Sequence, residues 1–94
     1  MKKEITKYLL AGMESAERVA LIISLTKMSS ETMIKAINDH LVRGYNEKMA
    51  CMANSVIQQN FNKTLASLNE IVGIIEKIKT IDYNHLSDVN KGKL

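Results

Sequence analysis

Residues 46–68 (NEKMACMANSVIQQNFNKTLASL) constrain the fold of this chain more than any other stretch. Asn46 is a favourable helix N-cap, and Glu47 in the first turn suits the positive end of the helix dipole. Asn54 and Ser55 then interrupt the pattern, since Asn tolerates the left-handed conformation common at helix C-termini and Ser favours turns and caps. A second helix begins after this break. The stretch therefore predicts a short helix, a tight turn and a longer helix, which is a helix-turn-helix.

The second helix of this stretch has an apolar face and a polar face. Phe61, Leu65 and Leu68 recur at helical spacing, which leaves the intervening polar residues pointing outwards. Gln and Asn can hydrogen-bond the adenine edge in a major groove, and Lys can reach phosphate or guanine. The predicted DNA-binding residues are therefore Lys48, Gln58, Gln59, Asn60, Asn62 and Lys63. The alternative is that these are ordinary solvated residues of an amphipathic helix.

The sequence before this stretch predicts two further helices. Ser15 is an N-cap candidate for a buried helix over about residues 16–26, because the run 19–25 is apolar except for one serine. Ser29 or Ser30 caps the next helix, which ends at Gly44 by the usual glycine signal. No second strand candidate could pair with the run 19–25. We predict an all-α fold, a small helical bundle that contains the helix-turn-helix and ends in a long C-terminal helix.

The apolar pattern of the last helix continues to about Lys79. Its isoleucine-rich part occupies more than one narrow stripe, which suggests contact with the helix at 16–26 on one side and with another subunit on the other. The predicted oligomer interface consists of Ile71, Val72, Ile74, Ile75 and Ile78. Gly73 could allow close approach. The alternative is that this whole face is intrachain core.

Length and composition set the domain organisation. Ninety-four residues make one domain, and a partner subunit would help to stabilise so small a core. We predict a single regulatory domain over residues 1–82 and a polar, disordered tail over residues 83–94. The net charge of +3 is too weak by itself to establish nucleic-acid binding.

Several function classes find no support in the sequence. Cys51 is the one cysteine, which excludes an internal disulfide and fits a reducing cytoplasm, and no cysteine or histidine cluster predicts a metal site. A His40–Cys51 pair lacks a third orienting group and an oxyanion loop, so we predict no catalytic residue, no enzyme activity and no cofactor. The longest apolar run is too short to span a bilayer, and Met1 to Gly12 does not resemble a signal peptide. We predict a cytoplasmic, nucleoid-associated protein.

The residues from about Met13 to Ile78 resemble the PapB-type adhesin (fimbrial) transcription regulators of enteric bacteria. The resemblance is carried by the run 34–44 (IKAINDHLVRG), with a cysteine seven residues after Gly44, and by Lys48, Ala50, Phe61, Leu65 and Leu68. The segment 9–12 (LLAG) is similar to the Leu-Leu-Pro-Gly of the family, with Ala11 in place of proline.

The resemblance implies an all-α helix-turn-helix protein that binds AT-rich control regions of fimbrial operons as an oligomer, without catalysis. The DNA-reading segment of the family corresponds to residues 55–68, and its preceding helix to residues 46–54. Family members commonly carry Arg where this chain has Glu47, and often a basic residue at Ser67 or Glu70. Because each lost phosphate contact weakens binding, we expect altered or weaker DNA binding, partly offset by Lys63.

Two function hypotheses follow. The first is a transcription regulator that binds double-stranded, AT-rich DNA and self-associates as a dimer or higher oligomer. The second is a helical interaction module that pairs with another regulator and barely touches DNA. Salt dependence distinguishes them, since phosphate binding weakens steeply as salt rises and an apolar protein contact does not.

Overall fold

The computed structural model describes residues 8–92 of the chain, with side chains described through residue 86. Four helices follow one another in this part: α1 (Ala16–Ser24), α2 (Glu31–Leu41), α3 (Glu47–Ala53) and α4 (Gln58–Gly92). Helices α2 and α4 each contact the three others, so they form the centre of the bundle. The predicted all-α class with a long C-terminal helix is confirmed.

The first three helices begin at the predicted caps. The side chains of Ser15, Ser30 and Asn46 each accept a hydrogen bond from the backbone N–H three residues further on, at 3.1, 3.3 and 2.8 Å. Each bond satisfies an N–H that the helix itself leaves without a partner. Short-range sequence chemistry therefore sets where these helices start.

The core gathers one apolar face from each helix and one residue of the N-terminal segment. Its largest fully buried side chains are Val19, Ile37, Leu41, Phe61, Leu68 and Val72. The predicted burial of α1 holds for one face only, because Leu21 and Leu25 are each 63% exposed. Helix α1 lies at the edge of the bundle and buries a single face.

The segment before α1 is hydrogen-bonded to the end of α2. The backbone N–H of Gly12 donates to the carbonyl of His40 at 3.1 Å. Gly12 and Gly44 both have positive φ, at +71° and +82°, and a Cβ on Gly12 would lie 3.1 Å from the Cα of Gly44. Two glycines thus let the two backbones approach closely, and Gly44 follows the end of α2 as predicted.

The same segment also packs on α4. The side-chain oxygen of Asn69 accepts hydrogen bonds from the backbone N–H groups of Tyr8 and Leu9, at 2.7 and 3.2 Å. A Cβ on Gly73 would lie 2.9 Å from the Tyr8 ring. The close approach expected at Gly73 is therefore made by the N-terminal segment of the same chain.

Helix α4 is longer than predicted. It was expected to end at about Lys79, but it runs 35 residues to Gly92, which corresponds to roughly 50 Å. Residues 77–86 are all exposed, so the helix extends beyond the bundle. The division of the chain at residue 82 stays a prediction; the backbone of residues 83–92 is helical, and residues 93–94 lie outside the described part.

Candidate nucleic-acid interface

The turn between α3 and α4 is closed by a regular set of backbone hydrogen bonds. The N–H of Ser55 donates to the carbonyl of Met52 at 3.4 Å, and the N–H of Val56 donates to the carbonyl of Cys51 at 2.9 Å. Both bonds are those of a Schellman motif, which places one left-handed residue directly after the helix cap. That residue is Ser55, with φ of 56°, whereas Asn54 has φ of −116°. The sequence had suggested Asn54 for the left-handed position.

Asn54 has a different task. Its side-chain amide donates to the Oδ2 atom of Asp39 at 2.9 Å and to the carbonyl of Ala50 at 2.8 Å. Arg43 donates to the other carboxylate oxygen of Asp39 at 3.3 Å. Asp39 and Asn54 are 5% and 8% exposed, so this is a buried polar link between α2 and the turn. It holds the start of α4 in position relative to α2.

The sequence does not reveal this link, because a charged residue such as Asp39 is ordinarily expected on the exposed face of a helix. Its helical position is compatible with an exposed or a buried side chain, and only the tertiary partner distinguishes them. One local signal was available, since Asp39 and Arg43 are four residues apart and such pairs meet on a helix surface.

The six predicted DNA-binding side chains are all exposed. On α4, Gln58 lies one turn before Asn62, and Gln59 lies one turn before Lys63, so these four form two neighbouring rows. The first turn of α4 also carries Asn60, which lies one turn before the half-buried Thr64 and therefore nearer the bundle. The remaining residue of the six, Lys48, lies on α3, which packs against α4.

A groove of about 480 Å³ runs beside these rows. It is bounded by residues 9–11, by His40 of α2, by Glu47 of α3 and by Asn62 of α4. Glu47 is half-buried and has no ion-pair partner within the described part of the chain. The carboxylate of Glu47, which forms no ion pair within this part of the chain, thus lies next to the polar face of α4.

The two residues of the possible thiol–imidazole pair, His40 and Cys51, make other contacts in the fold. The Nδ1 atom of His40 donates to the carbonyl of Tyr45 at 2.7 Å, and its ring packs edge-on against Phe61 with centroids 5.7 Å apart. Cys51 is buried in the core. Burial, and secondarily the negative charge of Glu47, raise the pKa of the Cys51 thiol. A protonated, buried thiol behaves as a small apolar side chain.

Charge near the polar rows is balanced. Lys48 and Lys63 are exposed, and so is Glu70, while Glu47 is half-buried. Lys63 and Glu70 are seven residues apart and hence on the same side of α4. Two positive and two negative side chains leave this face close to neutral, so it lacks the strong basic patch of a tight phosphate binder.

The predicted oligomer residues divide into three groups. Val72 is completely buried in the intrachain core, so it cannot contact a second subunit without opening the bundle. Ile71 and Ile75 are half-buried, and Ile71 packs against the core. Only Ile74 and Ile78 are largely exposed. One side of α4 is therefore intrachain core, and contact of its exposed side with another subunit stays a prediction.

Comparisons with known proteins found a matching family model and a similar solved structure. Residues 1–82 match the PapB family model, described as adhesin biosynthesis transcription regulatory protein. The crystal structure of E. coli FocB is similar to this one, with a TM-score of 0.72 and 26% sequence identity over 78% of this chain and 83% of FocB. No curated protein sequence matches the chain. Among residues 8–92, no helix is long and apolar enough to cross a membrane.

Proposed function

The chain belongs to the PapB family of adhesin biosynthesis transcription regulatory proteins, which makes it a transcription regulator and not an enzyme, and we propose that it acts by binding AT-rich DNA of a fimbrial operon as an oligomer. The helix-turn-helix of α3 and α4 is the DNA-binding unit in this proposal. The protein works in the bacterial cytoplasm, associated with the nucleoid.

The observation that supports this proposal best is the position of the exposed polar rows. They occupy the first two turns of α4, directly after a turn that is fastened to α2 by the Asp39–Asn54 link. A side chain that reads bases must be held in a fixed position by a rigid element. We propose that Gln58, Gln59, Asn60 and Asn62 contact bases and that Lys48 and Lys63 contact phosphates.

The balanced charge of this face explains why an oligomer is needed. Two lysines supply few phosphate contacts, and the carboxylates of Glu47 and Glu70 repel the DNA backbone. Linked protomers on neighbouring sites raise each other's effective concentration, so weak binding per protomer still gives strong occupancy. The exposed Ile74 and Ile78 are among the apolar side chains available for such self-association.

The test is fluorescence anisotropy of the purified protein on an AT-rich and a GC-rich duplex of equal length, titrated over a range of salt. We expect saturable binding that prefers the AT-rich duplex and weakens steeply with salt. Lys63→Ala should reduce the slope of log K against log salt by about one. Lys79→Ala is the matched control, because Lys79 is exposed on the same helix, roughly 24 Å further along.

Two outcomes would contradict the proposal. No binding to either duplex at low salt would exclude direct DNA binding by this chain alone and favour a module that pairs with another regulator. Equal changes of slope in Lys63→Ala and Lys79→Ala would instead show that binding does not use the start of α4.

A further inference from the structure

The C-terminal half of α4 carries an exposed apolar stripe, which begins beside the bundle and continues beyond it. Ile74, Ile78 and Ile81 are 57%, 52% and 66% exposed, although isoleucine is among the residues most often buried. Covering these side chains would remove apolar surface from water and so favour association. Each of them is thus more exposed than buried, and Tyr8 lies at the edge of the stripe, where it lines a cavity together with Ile81.

The spacing of this stripe is that of a coiled coil. Ile71, Ile74, Ile78, Ile81 and His85 follow one another at intervals of three, four, three and four residues, which is the a and d pattern of a heptad repeat. At about 100° per residue, the last four lie within roughly 60° of one another around the helix. They point about 130° away from the core-facing Phe61, Leu68 and Val72. The stripe is therefore directed away from the core of the bundle.

The charges that flank the stripe select the orientation of that helix. With Ile71 and Ile78 at a positions, Lys77 is a g residue and Asp82 is the e residue of the next heptad. In a parallel, in-register pair, a g residue faces the e residue of the next heptad on the partner. Lys77 would then meet Asp82 of a second copy. In an antiparallel pair, g faces g and e faces e, and the complementarity is lost.

Lys77 and Asp82 are both available for this contact. Each is exposed, and neither takes part in an ion pair within the part of the chain that the structure describes. The nearby ion pair on α4 instead joins Lys79 to Glu76, at 3.0 Å. In this register Glu76 is an f residue and Lys79 is the b residue of the next heptad, so both lie outside the seam. The local pairing therefore leaves the g and e positions free.

We propose that copies of this chain associate through a parallel, in-register coiled coil of α4, with the exposed Ile74, Ile78 and Ile81 at its centre and the half-buried Ile71 at the end next to the core. The inference rests on the self-association in the proposed function and specifies its surface, orientation and register. A parallel arrangement places all the helix-turn-helix units at the same end of the seam. Asn60 precedes Ile74 by 14 residues, so each unit lies roughly 20 Å from the start of the seam.

The first experiment is a charge swap read out by the molar mass in solution, measured by light scattering over a range of protein concentrations. Lys77→Asp alone and Asp82→Lys alone place like charges opposite each other and should raise the concentration at which association is half complete several-fold. The double variant Lys77→Asp/Asp82→Lys should restore it. Lys79→Asp, with the same change of charge outside the seam, should have little effect.

The second experiment reads the register directly. Ile81→Cys should form an interchain disulfide upon mild oxidation, because residue 81 of one copy meets residue 81 of the next. Tyr83→Cys is the control, since Tyr83 is an exposed f residue on the opposite side of the helix. The native Cys51 does not interfere, because it is buried and is the one cysteine in the sequence.

The outcomes are distinguishable from those of the DNA experiment. Association that survives Ile78→Asp, or charge reversals without rescue in the double variant, would overturn the seam while leaving DNA binding untouched. A chain that stays monomeric at all concentrations would overturn both the seam and the proposed oligomer. Equal disulfide formation at positions 81 and 83 would overturn the parallel register.

Discussion

Replacing Asn54 by alanine should destabilise the fold more than the loss of an ordinary helix cap. Its side chain donates to the buried Asp39 carboxylate and to the carbonyl of Ala50. After truncation, Asp39 retains only the contact with Arg43, whose side chain is 59% exposed and therefore binds weakly. A buried carboxylate then loses its best donor.

The magnitude follows from the two hydrogen bonds. A hydrogen bond to a charged group contributes about 1.5–3 kcal/mol, and one to a neutral group about 1 kcal/mol. We therefore expect Asn54→Ala to reduce the free energy of unfolding by roughly 2–4 kcal/mol. Asn46→Ala removes an exposed N-cap and should cost about 1 kcal/mol. The comparison uses the same substitution at either end of the same short helix.

The measurement is urea unfolding followed by circular dichroism at a fixed protomer concentration, because self-association would shift apparent stability. A double-mutant cycle of Asp39→Ala and Asn54→Ala should give a coupling energy of about 1.5–3 kcal/mol. If Asn54→Ala costs no more than Asn46→Ala, or if the cycle shows no coupling, the Asp39–Asn54 link does not hold the turn.

Three further predictions concern the same region. Glu47→Arg should tighten DNA binding and steepen the slope of log K against log salt by about one, because a carboxylate beside Asn62 that repels the DNA is replaced by a guanidinium that can bind a phosphate. Unchanged or weaker binding in the anisotropy titration would contradict this. Burial raises the pKa of the Cys51 thiol above its ordinary value of 9.0, so the thiol of the unfolded chain ionises first as pH rises. The contribution of this thiol to the free energy of unfolding is therefore fully present at pH 7 and is lost as pH rises through the pKa of the folded protein. Cys51→Ala should flatten that alkaline decline in the free energy of unfolding between pH 7 and 10. Ser55→Gly should raise the free energy of unfolding by up to about 1 kcal/mol in urea titrations, since glycine adopts positive φ without strain; a loss would show that the serine side chain itself stabilises the turn.

Local chemistry made the helix starts predictable, and long-range contacts made the turn less so. Ser15, Ser30 and Asn46 cap helices through bonds that span three residues, which the sequence displays directly. The turn after α3 was placed correctly, but its left-handed residue is Ser55 and not Asn54. Asn54 is held by Asp39, fifteen residues earlier in the chain. Such a partner cannot be read from local pattern.

The long helix shows the same limit on a larger scale. Periodicity identified Ile71, Val72, Ile74 and Ile78 as apolar positions but could not say which would meet their own chain. The answer depends on how the other elements pack around α4: Val72 is buried in the core, whereas Ile74 and Ile78 are exposed. The end of α4 was missed because residues 77–86 bury no side chain in the core, so the apolar pattern of the core stops before the helix does.

Because α4 carries most of the proposed DNA-binding residues and also the proposed seam, salt dependence should report how many protomers bind together. Every protomer that contacts phosphates releases further counterions from the DNA. The slope of log K against log salt therefore scales with the number of protomers that contact the DNA. Ile78→Asp, which should separate the protomers, is expected to divide the slope by the number of copies found by light scattering. Tyr83→Asp adds the same charge to the opposite side of α4 and should leave the slope unchanged. If Ile78→Asp abolishes association but the slope stays at its original value, a single protomer makes all of the phosphate contacts, and self-association serves some purpose other than holding neighbouring units on DNA.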